Sequence, residues 1–186
     1  MIVLGSHSPR RHEILYEFGI IHKVDSKEID ETMLNDLTPR ENVERLSKLK
    51  ALALIDIYPN DVIIGADTIV VVDNEILGKP KDYNDAVRML KKLSNKTHHV
   101  ITGVTIINKG TPYTFSSVSS VTFKELTIEE IDEYISKDNV YDKAGSYAIQ
   151  SPNMTFITKI EGSYYNIVGL PIEELIDKFN EMNINY

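Results

Sequence analysis

Two apolar rhythms alternate along the first half of the chain. Met1 to Leu4 is a short apolar run that predicts a strand. From Pro9 to Gly19 the apolar positions Ile14, Leu15 and Phe18 fall at helical spacing. Pro9 suits a first helical turn, Ser8 an N-cap and Gly19 a helix end. Ile20 to Val24 predicts a second short strand. Asp25 to Leu37 is acidic and without period, so it predicts a loop whose Glu28, Asp30 and Glu31 face a site or solvent. Thr38-Pro39-Arg40-Glu41 supplies a cap, an N1 proline and an N3 glutamate. The helix it opens is expected to run to about Tyr58, with Val43, Leu46, Leu49, Leu52 and Ala53 on one face.

The stretch Asp61 to Asp73 is a continuous β-branched run, as expected of a central strand buried on both faces. Asp73-Asn74 then reads as a turn and Leu77-Gly78-Lys79-Pro80 as a loop. Asn84 to Leu93 predicts a helix with Ala86, Val87, Leu90 and Leu93 inward. Thr97–Asn108 and Pro112–Phe123 predict a hairpin around Lys109-Gly110-Thr111. Thr127 caps a further helix to about Ser136. Tyr141 to Gln150 reads as a loop of small residues, and 156–160 and 164–168 as two short strands around Gly162. Pro171 to about Met182 is the last predicted helix. Helices and strands alternate early and hairpins dominate late, which predicts an α/β fold with a mixed sheet. Without a repeat, linker or low-complexity tract, residues 1–186 are expected to form a single domain.

Composition narrows the function. The net charge of −8 argues against general nucleic-acid binding, which needs broad positive surface, but not against a small polyanion bound locally. Zero cysteines exclude disulfide and thiol chemistry and suit a cytoplasmic protein. There is no stretch of membrane-spanning length and no signal-peptide pattern, so no membrane partner is expected. Exposed apolar positions leave a homodimer open.

Candidate chemistry begins in the first loop. Ser6, Ser8, Arg10 and Arg11 gather hydroxyls, guanidiniums and a helix start, a combination suited to phosphate. Arg10 and Arg11 diverge by about 100° on a helix, so they need not act together. Asp67 interrupts the apolar central strand. A buried carboxylate is costly unless it is paired or used, so a functional role competes with capping a turn or pairing with a buried lysine. Lys50 sits beside an apolar stripe, although helix lysines are ordinarily surface residues. Lys79 lies in a tight loop soon after the Asp67 strand. Gln150 has an amide suited to reading a base edge, with an ordinary strand-end amide as the alternative. His98 and His99 are neighbours on a strand and face opposite ways, so they cannot form one metal site. Neither a P-loop nor a dinucleotide glycine motif is present.

Taken in order, several segments resemble the signatures of the Maf family of nucleoside triphosphate pyrophosphatases. They are Ser6-His7-Ser8-Pro9-Arg10-Arg11, Arg45 to Ala51, Gly65-Ala66-Asp67-Thr68, Gly78-Lys79-Pro80, Ala144 to Gln150, Gly162-Ser163-Tyr164 and Gly169-Leu170-Pro171. Gly5 stands where an alanine is common, and His7 where a small residue is usual.

The resemblance implies an elongated mixed β-sheet with flanking helices and two lobes around a central cleft, shared with inosine triphosphate pyrophosphatases. It implies cleavage between the α- and β-phosphates, with Asp67 as general base on water. Arg10, Thr68 and Gln150 match positions tied to substrate choice. Ser6, Arg11, Glu31, Lys50 and Lys79 match other polar site positions. The Ala-Gly-Ser-Tyr-Ala-Ile-Gln form is similar to the branch acting on dTTP and UTP. A triphosphate carries about four negative charges at neutral pH, so basic side chains and a divalent cation are expected to offset them. Glu31 and Asp67 are the expected metal contacts, with Mg²⁺ or Mn²⁺ favoured by oxygen ligands. Two alternatives stay open: a nucleotide-binding regulator of cell division without essential turnover, and an inosine or xanthosine triphosphate pyrophosphatase.

Overall fold

The strand Val62–Val72 (β3) is the one on which the sheet is built, and it is buried along nearly its whole length. The computed structural model describes residues 1–186. Before β3 come Ile2–Leu4 (β1), Pro9–Glu17 (α1), His22–Val24 (β2) and Pro39–Leu52 (α2). After it come Glu75–Leu77 (β4), Tyr83–Leu93 (α3), Thr97–Asn108 (β5), Thr111–Phe123 (β6) and Ile128–Lys137 (α4). A 3₁₀ turn at Ala144–Ser146 precedes Ile157–Glu161 (β7), Tyr164–Val168 (α5) and Ile172–Glu181 (α6). The seven strands form one mixed sheet in the order β2-β1-β3-β5-β6-β7, with β4 paired to β3. The β1 pairings with β2 and β3 are parallel and the rest antiparallel. No helix is long and apolar enough to cross a membrane.

Strand alternation explains the layering. On one face of β3, Ile64 and Ala66 belong to a core with Leu15 of α1 and Leu175 of α6. Further along that face, Val70 and Val72 join a second core with Leu90 of α3 and Ile131 of α4. Thr68 falls between them, and on β5 Thr102 falls likewise between Val104 and Val100. The expected two lobes are these two cores on a single sheet. The opposite face is covered by α2, whose Val43 and Ala51 pack beside Ile69 and Ile63. This approach needs glycine at position 65. A Cβ there would stand 2.2 Å from the Ser47 carbonyl oxygen.

The structure departs from expectation in four places. Helix α2 ends at Leu52 rather than near Tyr58, because the chain tightens into i→i+3 bonds from Leu54 to Ala51 and Ile55 to Leu52. Glu75–Leu77 pairs with β3 as a strand across the Asp73-Asn74 turn, whose two residues have φ of 49° and 63° as a tight hairpin demands. Residues 164–168 form a helix and not a strand: the Ser163 hydroxyl accepts from Asn166 N–H as a cap. The buried Asn166 amide then fixes that turn by donating to Val100 O and Ser119 Oγ. Ser8 occupies the N-cap position of α1, but its hydroxyl makes no capping bond; its N–H donates instead to Ser6 Oγ at 3.2 Å.

Candidate functional site

A cleft of about 560 Å³ lies where β3 loses a neighbour. Strand β1 pairs with β3 only over Val62–Ile64, and β4 only over Val70–Val72. Both lie along one edge, because β5 occupies the other from Ile63 to Val71. Between them, Gly65 to Ile69 has β5 on its other edge and no strand on this one. Asp67, Thr68, Ile69 and Val70 all line the cleft, although successive residues of a strand face opposite ways. A cavity can touch all four only by lying against the strand's edge. The break in pairing therefore brings chemistry from both faces of the sheet into one space.

On the α2 side, Asp67 Oδ1 accepts from Lys50 Nζ at 2.6 Å. Both side chains are largely buried, with exposures of 11% and 14%. Glu31, from the acidic loop, reaches the same Nζ with Oε1 at 3.2 Å. Lys48, two residues earlier, is exposed on the outside of the helix. Asp67 is thus paired with a largely buried lysine, and the pair sits in the cleft wall, where pairing and a chemical role are compatible.

On the other side, Arg11 is buried and its guanidinium bonds in three directions. Nε donates to Gly169 O at 2.8 Å, Nη1 to Ser6 Oγ at 3.0 Å and Nη2 to Thr68 Oγ1 at 3.1 Å. Burial holds its pKa below the ordinary arginine value, partly offset by the charge of Asp67. Arg11 thereby ties the first loop to β3 and to the end of α5, and two of its five N–H groups stay free for a ligand. Thr68 Oγ1 also shares a hydrogen bond with Thr102 Oγ1 at 2.9 Å. Arg10 points elsewhere, as their divergence on α1 requires, and meets Asp142 at 3.3 Å.

The far wall comes from the 142–150 loop. Gly145 N–H donates to Gly78 O at 3.0 Å, which sets the Lys79 loop beside it. Gly145 has φ of 69°, and a Cβ there would meet Val70 at 3.1 Å, so the turn packs directly on β3. Val70, Val100, Tyr147, Ala148 and Ile167 make this sector apolar, with Gln150 at its rim. Six cationic side chains line the whole cleft (Arg10, Arg11, Lys27, Lys50, Lys79 and Lys143) against the carboxylates Glu31, Asp67 and Asp142. A local positive excess thus sits in a chain of net charge −8.

The model of the Maf-like protein family matches residues 1–182. The chain belongs to the Maf-like protein family. It is 44% identical over 175 residues to a dTTP/UTP pyrophosphatase of Bacillus pumilus (strain SAFR-032), covering 94% of this chain and 93% of that one. It is 42% identical over 193 residues to a dTTP/UTP pyrophosphatase of Clostridioides difficile (strain 630), covering 100% and 98%. Among solved structures it resembles the Staphylococcus aureus Ham1 protein with a TM-score of 0.45 and 17% identity, over 66% of this chain and 71% of that one.

Ten residues singled out in the sequence of this Maf-like chain line this cleft: Ser6, Ser8, Arg10, Arg11, Glu31, Lys50, Asp67, Thr68, Lys79 and Gln150; Glu28 and Asp30 face solvent outside it. The cleft also contains Lys27, Met33, Asp142 and Lys143, to which sequence reasoning gave no role, and Tyr147, which it named only within the Ala144 to Gln150 segment. Asp142-Lys143 carried a signal, being a charged pair directly before the loop of small residues. Lys27 carried none, lying in an acidic aperiodic stretch.

A divalent cation fits the donor set only together with a substrate. No group of three or more His, Cys, Asp or Glu side chains converges on a point. Glu31 and Asp67 do converge on one cationic atom, Lys50 Nζ, so two carboxylate oxygens already share a positive centre. Mg²⁺ characteristically takes one or two carboxylates and completes its shell with phosphate and water oxygens. His98 and His99 lie outside this: His98 is buried against Tyr147, and His99 is on the exposed face with Ser120.

Proposed function

We propose that this Maf-like protein is a nucleoside triphosphate pyrophosphatase that hydrolyses dTTP and UTP to the monophosphate and pyrophosphate. The observation that carries the reading is the Asp67–Lys50 pair at the unpaired stretch of β3, within a cationic cleft. The substrate names of the relatives at 42–44% identity point the same way.

In this reading the triphosphate lies along the polar sector, near Ser6, Ser8, Arg11, Lys50 and Lys79. The base occupies the apolar sector beside Val70 and Tyr147, with Gln150, Thr68 and Arg10 governing its choice. Lys50 holds Asp67 Oδ1, so Oδ2 is the oxygen free to take a proton from water. That water attacks the α-phosphorus as the bond to the bridging oxygen breaks, and pyrophosphate leaves. Glu31 and Asp67 would hold a divalent cation, Mg²⁺ or Mn²⁺, against the phosphates, where it supplies charge neutralisation. In this reading residues 1–186 act as one catalytic domain of a cytoplasmic enzyme.

The deciding experiment incubates the purified protein with a panel of nucleoside triphosphates, with Mg²⁺ or Mn²⁺, and identifies the products. Pyrophosphate and monophosphate from dTTP and UTP are expected. Release of orthophosphate, or a preference for inosine triphosphate, overturns the reading.

A further inference from the structure

Asp142 is out of place in a cleft that takes a polyanion. A carboxylate there repels phosphate, and unlike Asp67 it is not at the unpaired stretch of β3. Its two oxygens are both engaged by cations: Oδ2 meets Arg10 Nη1 at 3.3 Å and Oδ1 meets Lys143 Nζ at 2.9 Å. The Arg10 bond crosses the cleft. Arg10 rises from α1, which packs on the first core, while Asp142 belongs to the loop that packs on the second. Arg10 also needs holding: it adjoins the buried Arg11, whose charge opposes its own. Burial alone would raise the Asp142 carboxyl, yet the hydrogen bond and charge of Lys143, with the charge of Arg10, hold it below its ordinary value.

We infer that Asp142 is a positioning residue for Arg10, fixing its guanidinium across the cleft so that its remaining N–H groups meet the nucleotide. The inference rests on the proposed nucleotide substrate and on Arg10 as a residue of substrate choice. One Nη1 contact orients a planar fork, leaving Nε and Nη2 directed by that anchor. Released from Asp142, Arg10 is a flexible side chain repelled by its neighbour, and the bound state must order it anew.

The test is a double-mutant cycle of Arg10→Ala and Asp142→Asn. It is read by equilibrium binding of a UTP analogue with a methylene between the α- and β-phosphorus atoms. Asp142→Asn is expected to weaken binding about tenfold, as for a lost charge-assisted contact. In the Arg10→Ala background it is expected to do nothing further, and Asp142→Glu is expected to restore part of the loss. Thermal denaturation of each variant separates this from a fold defect, because a merely structural role would move Tm in both backgrounds alike. Unchanged or tighter binding by Asp142→Asn overturns the inference, since the carboxylate would then only repel phosphate. An undiminished loss in the Arg10→Ala background overturns it too, by assigning the effect to Lys143. Failure of the wild-type protein to bind the analogue overturns the nucleotide reading itself, and the two failures are therefore distinct.

Discussion

Lys50 Nζ lies 2.6 Å from Asp67 Oδ1, joining α2 to the unpaired stretch of β3. The pair exists because the two elements pack at Gly65, two residues before Asp67, against Ser47 and Ala51, which flank Lys50. If Asp67 takes the proton from water, Asp67→Asn is expected to lower kcat by at least about 100-fold while leaving nucleotide affinity within a few-fold. Steady-state kinetics and binding of the same variant check this, and normal turnover would sink the role.

Lys50→Met should act differently. It leaves the Asp67 carboxylate largely buried without its cation, and breaking a buried pair in this way is strongly destabilising. Lys50→Met is expected to lower both the denaturation midpoint and kcat, measured by urea titration and steady-state kinetics. Weaker nucleotide binding with an unchanged denaturation midpoint and kcat would assign Lys50 to phosphate charge alone.

Arg11 illustrates a residue whose structural task is visible before its chemical one. Its Nε, Nη1 and Nη2 satisfy Gly169 O, Ser6 Oγ and Thr68 Oγ1 across three segments. Arg11→Lys keeps the charge but cannot reproduce the fork. It is expected to cost about 2–3 kcal/mol, since hydrogen bonds to charged groups are worth that much and their buried acceptors would be left bare. For a chain of this size the loss corresponds to a Tm drop of roughly 5–10 °C. Calorimetry with and without nucleotide analogue measures it, and an unchanged Tm would assign Arg11 to ligand contact only.

Gly65→Ala tests the approach that builds the site. The added Cβ would meet Ser47 O at 2.2 Å and Ala51 N at 2.8 Å, both backbone atoms that cannot swing aside. Overpacking of this kind costs about 1–3 kcal/mol and is relieved by backbone movement. The movement available is of α2 away from β3, which also carries Lys50 from Asp67. Both a lower denaturation midpoint and lower turnover are expected, and a stable, fully active variant would show that the pair tolerates displacement.

Much of this was legible in the chain, for physical reasons that differ by residue. Asp67 stood out because burial makes a lone carboxylate in a β-branched run anomalous. The first loop stood out because Ser6, Ser8, Arg10 and Arg11 are adjacent. By contrast, Lys27 meets the cleft only through tertiary folding, and no local pattern marks it. Residues 164–168 mislead because Tyr164, Tyr165, Ile167 and Val168 have strand propensity. The deciding features are the Ser163 cap and the bonds of buried Asn166 to β5 and β6. Glu75–Leu77 is too short to show alternation, so only its pairing with β3 reveals a strand.

His98 supplies a pH dependence independent of the catalytic carboxylate. It is fully buried, and its Nε2 lies 2.7 Å from Tyr147 Oη. Burial pushes the Tyr147 hydroxyl pKa up, so the phenol keeps its proton, and His98 Nδ1 has no partner. Burial, with a smaller part from His99, lowers the His98 pKa from 6.5 to about 3. The unfolded chain therefore takes up a proton below about pH 6.5 that the folded chain refuses. The resulting stability is fully present above pH 6.5 and is lost as pH falls towards 3, at about 1.4 kcal/mol per unit. His98→Gln removes the titration while keeping an acceptor for Tyr147. Between pH 7 and 4.5 the denaturation midpoint of the wild type is expected to fall more steeply than that of His98→Gln. Parallel curves would mean that the folded protein protonates His98 readily. Tyr147 lines the cleft, but the folded protein keeps His98 neutral over this range, so nucleotide affinity is expected to vary with pH alike in the wild type and the variant.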